Sequence, residues 1–535
     1  MLTLVAKKQM TLLAVAVTCL FLAGSVPALA QQPTGTYSYT MTFDHDGLTT
    51  VQIMYTSGFV GSGASWVAIP KTEVADTAVT ALKGSITSMA RVPYLIGGQA
   101  HQFYDNLTFS YAAGSETFSM LARFNMTYGA MIVEPNGFFF SPQIGVPPSA
   151  TVQASLIFPD GVESLSEAQP APTQIQRLGS RLALSFNPSS ESRIAVTFTV
   201  TWPNQTSDLR EGIVDVRVPS RYVDLGTRMA SLYKRAIPLM NDLFNATMDR
   251  ISMRFFVPLS LPDFTTGGYT PIDPSTFQTG SIYLNLFYFR SVAGTMETIA
   301  VHELTHQYEA RAGISPDLLW IHEGLANYVA VRMGKPLDYD IVATNSSLEA
   351  TASELNGKYG MIQDWRPGDS GTSLYQYYAA SYHVFNTLGD EYGGLTMYSK
   401  FFRGLHELKD GLRSTNVAVL QLGLAAGADL FPQFTKWGFE LADLSIINSR
   451  IAKLRAEAEL YGPLLPFREE ALSHLEQAQS SMYSTPEVAM GHVTIAAFYI
   501  ETVPMIIGGI ILVLILVVAV ALVVHRRSRR QADAF

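Results

Sequence analysis

The stretch 301–330, "VHELTHQYEARAGISPDLLWIHEGLANYVA", sets two histidines four residues apart with a glutamate directly after the first. A second glutamate, Glu323, follows in "WIHEG". On a helix, residues i and i+4 lie one turn apart on one face, so the His302 and His306 imidazoles can reach one point. The flanks favour a helix. Residues 291–311 hold no proline and one glycine, and Ile299, Ala300 and Leu304 give them an apolar side. Gly313 stands where such a helix stops, and Pro316 follows. "LLWIHEGLANYVAVRMGKP" then reads as a second helix, capped near Gly334. The loop "AGISPD" between them can fold the second helix back on the first.

Neutral imidazole nitrogens suit zinc, which favours four-coordination and, in catalytic sites, usually has three protein ligands. Glu323 supplies a candidate third ligand beside His302 and His306. Glu303 points beside the ion rather than at it, where a carboxylate can take a proton from a bound water. Asn327, one turn after Glu323, is placed either to hydrogen-bond a ligand histidine or to face solvent. His322 is offset by about 100° around the helix from Glu323 and is expected to be structural. "HELKD", 406–410, begins in the same way but lacks the second histidine, and is expected to be ordinary helix surface.

Outward from this segment, both ends of the chain carry apolar runs. Lys7 and Lys8, an apolar run over 11–23, and Ala28 and Ala30 at A-x-A spacing read as a signal peptide, 1–30, cleaved after Ala30. Residues 503–524 carry no charge, and at about 1.5 Å per residue they are long enough to cross a bilayer. Arg526, Arg527, Arg529 and Arg530 follow, so the basic tail, 525–535, is expected to stay cytoplasmic with the bulk of the chain outside. The only cysteine, Cys19, lies in the leader, which excludes disulfides and thiolate chemistry from the mature chain. Hydrophobic residues make up 48% and charged residues 15%, which excludes a disordered, charge-rich chain. The formal charge of −9 becomes more negative without the leader lysines and tail arginines. That disfavours nucleic acid as a partner.

Between the ends, "TYSYTMTFD" and "RIAVTFTVTW" alternate apolar and polar residues, with Gly, Pro and Asn turns such as "EPNG" and "FPDG" between them. Residues 31–205 are therefore expected to form an all-β, antiparallel sandwich. From 206 to 445 strands mix with long helical patterns, the mark of an α+β domain. Residues 446–502 carry two apolar helix faces broken by "YGPLLP", expected as a helical hairpin or juxtamembrane stalk.

HExxH followed by WxxEGxAxY resembles the gluzincin metallopeptidases, which include thermolysin-like, aminopeptidase N-like and glycyl aminopeptidase-like enzymes. The peptidase MA-like domain of bacteria and archaea is similar in the same way, over roughly 210–445. The resemblance implies a thermolysin-like zinc peptidase domain holding one Zn2+ per chain. Its ligands would be His302, His306 and Glu323, its general base Glu303, and its substrate a peptide or protein. "YAASYHVFNTLGDEYGG", 378–394, is similar to the helix after the zinc site in aminopeptidase N-like enzymes, which makes Tyr378 the donor to the developing oxyanion. Tyr375, Tyr377 and Tyr382 compete for that role. "GSIYLN" is similar to the family's edge strand. Ser281, Ile282, Tyr283, Leu284 and Asn285 would then pair with an extended peptide. Two features depart from the aminopeptidase N-like pattern. The interval from His306 to Glu323 is two residues shorter, and no GxMEN-type stretch is present, so aminopeptidase specificity is unsupported and endo- versus exopeptidase action stays open. The expectation is a single-pass cell-membrane metallopeptidase acting outside the cytoplasm. The alternative is a catalytically inactive surface binding or adhesion protein on the same scaffold, which would have no need of Glu303. An intramembrane protease fits poorly, because the HELTH helix lies far upstream of the span and carries Glu297, Glu303, Glu309 and Arg311.

Overall fold

Tyr37, Tyr39, Met41 and Phe43 alternate with polar neighbours, and all four are buried along one strand, Thr36–Phe43, in a computed structural model of the chain. The structure describes residues 35–532 apart from 72–76, 97, 367, 370–373, 409–410, 443 and 483–484. The expected leader, 1–30, lies outside the described residues. The same period of two buries Val196, Phe198 and Val200 on Ala195–Val200. These two strands belong to different sheets, one of eight strands and one of four. A shared core joins the sheets, with Phe43, Phe139, Phe158 and Phe198 packed ring to ring at 5.3 to 5.9 Å. Aromatic pairs at such spacings add to the area they bury. The pairing is antiparallel as expected except at one place. Thr36–Phe43 runs parallel to Thr151–Ile157, two segments far apart in sequence.

A five-stranded sheet begins at Thr206. Its order is Thr206–Glu211, Val214–Pro219, Ile251–Phe256, Ile282–Asn285, Gly268–Tyr269. The helix Val223–Phe244 is the crossover between Val214–Pro219 and its parallel neighbour Ile251–Phe256. It buries Met229, Leu232, Tyr233, Ala236 and Met240 at helical spacing. The topology corrects one expectation. Ile282–Asn285 is not an edge, because Gly268–Tyr269 pairs with its outer side, Gly268 opposite Leu284 and Tyr269 opposite Tyr283. Ser281 lies just before that strand. "TTGGYTPID" reads as a loop from its glycines and proline, which hides a two-residue strand.

The β-rich part and the mixed part are packed together. Met131 and Phe138 from the first sit in the core of the second. Across the seam, Arg221 pairs with Glu134, and the Ile132 N–H donates to Tyr222 Oη at 2.9 Å. Arg290 Nη1 donates to the Phe140 carbonyl at 2.7 Å.

The expected hairpin proves to be three helices, Leu444–Tyr461, Arg468–Ser481 and Pro486–Ala497. Ile451, Leu454, Leu475, Ala478, Val493 and Ala496 share its core. The third helix opens on Pro486, a residue tolerated at a helix start, and its apolar face is made mostly of small residues, a weak signal in sequence. It continues through a π-turn, Phe498–Thr502, into the helix Val503–Ala532. Val488–Arg526 is long and apolar enough to cross a membrane, and most of its large apolar side chains from Met505 to Val524 are exposed.

Candidate metal centre

Two neighbouring helices build the site. Thr295–Arg311 carries His302, Glu303 and His306, and Leu319–Leu337 carries Glu323 and Asn327. Gly294 enters the first helix at φ 81°, and Gly313 leaves it at φ 78°, conformations that side-chain-bearing residues rarely adopt. The turn after Gly313 is pinned from outside. Leu412 N–H donates to the Gly313 carbonyl, and Ser315 N–H donates to that of Leu412, both at 2.8 Å. This clamp returns the second helix against the first. That helix runs past Gly334 to Leu337, and Asp338 takes the left-handed position instead. Gly334 meets Ile341, and a Cβ there would lie 2.4 Å from Ile341 Cγ2.

The three expected ligands converge. His302 Nε2 and His306 Nε2 are 3.1 Å apart, and Glu323 Oε2 lies 3.1 Å from the first and 3.8 Å from the second. The opposite ring nitrogens face acceptors. His302 Nδ1 is 3.2 Å from Asn327 Oδ1, and His306 Nδ1 is 2.8 Å from Glu309 Oε2. Those partners hold the ring protons on Nδ1, which leaves each Nε2 with a lone pair. Two imidazole nitrogens and a carboxylate oxygen this close to one spot need a proton or a cation between them. Glu323 Oε2 is buried with no hydrogen-bond donor, which fits the same conclusion. Burial disfavours a charged His306, but the hydrogen bond to Glu309 and the nearby Glu323 and Glu303 push it well up, so the spot attracts positive charge. Burial pushes Glu323 up, but the facing His302 and His306 imidazoles hold it below the usual carboxylate range. Two imidazole nitrogens and one carboxylate, with the cleft on the open side, form a donor set suited to zinc.

Glu303 is 4% exposed and lies beside the cluster. Burial raises its carboxyl above the usual range, against the pull of His306 and His302. The Thr270 hydroxyl lies 3.0 Å from Glu303 Oε2. Gly268 passes so close that a Cβ there would be 2.8 Å from Glu303 Cγ. Tyr378 reaches the same cleft from the helix Leu374–Tyr392, and its phenol feels the Glu323 charge. The Glu323 charge first, then burial, lifts the phenol well above its usual value, so it stays a proton donor. Trp365 holds its ring edge-on at 5.1 Å. The competing tyrosines have other partners. Tyr375 bonds Ser347, Tyr377 stacks on Trp365, and Tyr382 bonds Asn345.

A cleft of about 470 Å³ opens onto these groups, between Gly267 and Gly268 on one side and Thr344, Ser347 and Leu374 on the other. Thr270, Gly268 and Glu309 were not anticipated. Glu309 carried a signal, its i+3 spacing from His306 on one helix face. Thr270 and Gly268 carried none, since only the sheet brings them to Glu303. His322 is buried, with Nδ1 2.8 Å from Glu309 Oε2. His406 donates to or accepts at no part of this cluster, and its Nε2 lies 3.1 Å from the Phe244 carbonyl. Compared with protein-family models and with curated proteins, the chain matches none.

Proposed function

We propose that this chain is a membrane-anchored zinc metallopeptidase that hydrolyses peptide bonds outside the cytoplasm. One observation carries the reading: His302, His306 and Glu323 aim three acceptors at one point, with Glu303 held beside it by Thr270. Zinc bound there supplies Lewis-acid polarisation of a carbonyl and a more acidic water. Glu303 takes the proton of the attacking water and passes it to the leaving amine. Tyr378, a protonated phenol facing the same space, donates to the oxygen on which negative charge develops. An extended peptide pairs with the free edge at Gly268–Tyr269, where the absent glycine side chain lets its backbone approach Glu303. The apolar helix anchors the chain, with the basic tail on the cytoplasmic side by the positive-inside bias. A thermolysin-like arrangement of the mixed domain and a sandwich in the β-rich part belong to the same reading.

The test is cleavage of a diverse peptide library by the full chain in detergent, with and without a chelator, for wild type and Glu303→Gln. Chelator-sensitive cleavage lost in the variant supports the proposal. A zinc-loaded wild type that cleaves nothing favours the non-catalytic surface-binding alternative.

A further inference from the structure

Glu309 has no solvent exposure and lies one turn after His306 on the same helix. Its Oε2 is 2.8 Å from His306 Nδ1 and 2.8 Å from His322 Nδ1. The other nitrogen of His322, Nε2, is 3.1 Å from the Ser315 carbonyl. Ser315 belongs to the turn clamped by Leu412. A chain of contacts thus runs from the clamped turn through His322 and Glu309 to the back of His306.

A buried carboxylate without polar partners is strongly disfavoured, and Glu309 Oε2 is within hydrogen-bond distance of two imidazole nitrogens. The other ligand histidine is treated differently. His302 Nδ1 meets a neutral amide oxygen, Asn327 Oδ1, at the longer distance of 3.2 Å. A carboxylate behind an imidazole fixes its tautomer and orientation and makes its far nitrogen a stronger donor to a cation. The two histidines are therefore unequal, although the sequence motif treats them alike.

We propose that Glu309, itself fixed by His322, is the positioning residue that makes His306 the stronger ligand of the centre, and that cation affinity depends on its carboxylate. The proposal rests on the metal-binding reading above. His306, Glu309 and His322 also meet the spacing for a cation among themselves, their nearest donor atoms lying within 4.8 Å. Their short contacts are those of hydrogen bonds, so this trio supports the ligand rather than holding a second ion.

The experiment is titration of the chelator-stripped full chain in detergent with zinc against a chromophoric competitor, and with cobalt read by its visible spectrum. Wild type is expected to bind one ion. Glu309→Gln keeps the shape and removes the charge, and should bind zinc about 10- to 100-fold more weakly with a shifted cobalt spectrum. Its metal-free melting temperature should not fall, a result that separates positioning from a structural role. His322→Gln leaves Glu309 in place, should weaken binding less, and serves if the first variant does not fold. Unchanged affinity and cobalt spectrum in the folded variants, beside tight wild-type binding, overturns the proposal alone. Two ions per wild-type chain also overturns it. A wild type that binds neither metal overturns the metal reading and this inference with it.

Discussion

The Thr270 hydroxyl stands 3.0 Å from Glu303 Oε2, joining a strand neighbour to the helix that carries the metal motif. The same hydroxyl lies 3.1 Å from the Glu303 backbone carbonyl, so its single proton is shared between the two acceptors. Hydrogen bonds to charged groups contribute about 1.5–3 kcal/mol, and their loss lets a base leave its working geometry. Thr270→Val keeps the volume and removes the donor. Steady-state kinetics should show kcat lower by about 10-fold or more, with KM and zinc content unchanged. A larger change in KM than in kcat would assign Thr270 to substrate binding instead.

Tyr378→Phe removes the phenol beside Glu323 and keeps its packing on Trp365. Loss of one oxyanion donor lowers kcat by about 10²- to 10³-fold in comparable sites. Its raised pKa sets the pH behaviour. A group titrating above its ordinary value of 10.0 stays protonated throughout the neutral and mildly alkaline range. The deficit of the variant should therefore be the same at every pH from acid to mildly alkaline. A deficit that vanishes as the solution turns alkaline, below that ordinary value, would remove Tyr378 from the role.

The seam between the β-rich and mixed parts rests on Arg221 and Glu134, whose side chains are 15% and 2% exposed. Removing one partner of a buried pair leaves an uncompensated charge and costs about 3–5 kcal/mol. Arg221→Met should lower stability by that order in denaturant titration, and adding Glu134→Gln should recover much of the loss. Equal stability of the single variant and wild type would show that the seam contributes little.

The cleft is lined by Thr266, Thr344, Ser347, Leu348 and Leu374, and its only acidic or basic side chains among the described residues are His302 and Glu303. Side chains bound there are expected to be uncharged. Cleavage-site sequencing of library products should show small polar or apolar residues beside the cut bond. Enrichment of Lys, Arg, Asp or Glu there would contradict this.

The candidate metal centre was legible because its residues come from local helical periodicity. His302 and His306 need only one helix, and Glu323 and Asn327 need only the next, with "AGISPD" short enough to bring it back. The same periodicity placed His322 beside, not in, the ligand set. What failed was long-range. Pairing of Gly268–Tyr269 outside Ile282–Asn285 depends on a chain reversal that no side-chain pattern encodes. The parallel match of Thr36–Phe43 with Thr151–Ile157 joins segments that share only alternation, which sets a face but not a partner. The third helix of the C-terminal bundle was hidden by its small apolar residues, which read equally well as a linker.

The central claim, one cation held by three side chains from two helices, is tested most directly by metal analysis with X-ray absorption on the purified full chain. The account predicts one zinc per chain ligated by two imidazole nitrogens and a carboxylate oxygen. That zinc should be retained in Glu303→Gln and lost in His306→Ala and Glu323→Ala. Zinc held as tightly by Glu323→Ala as by wild type, or a wild type that takes up none, would contradict it.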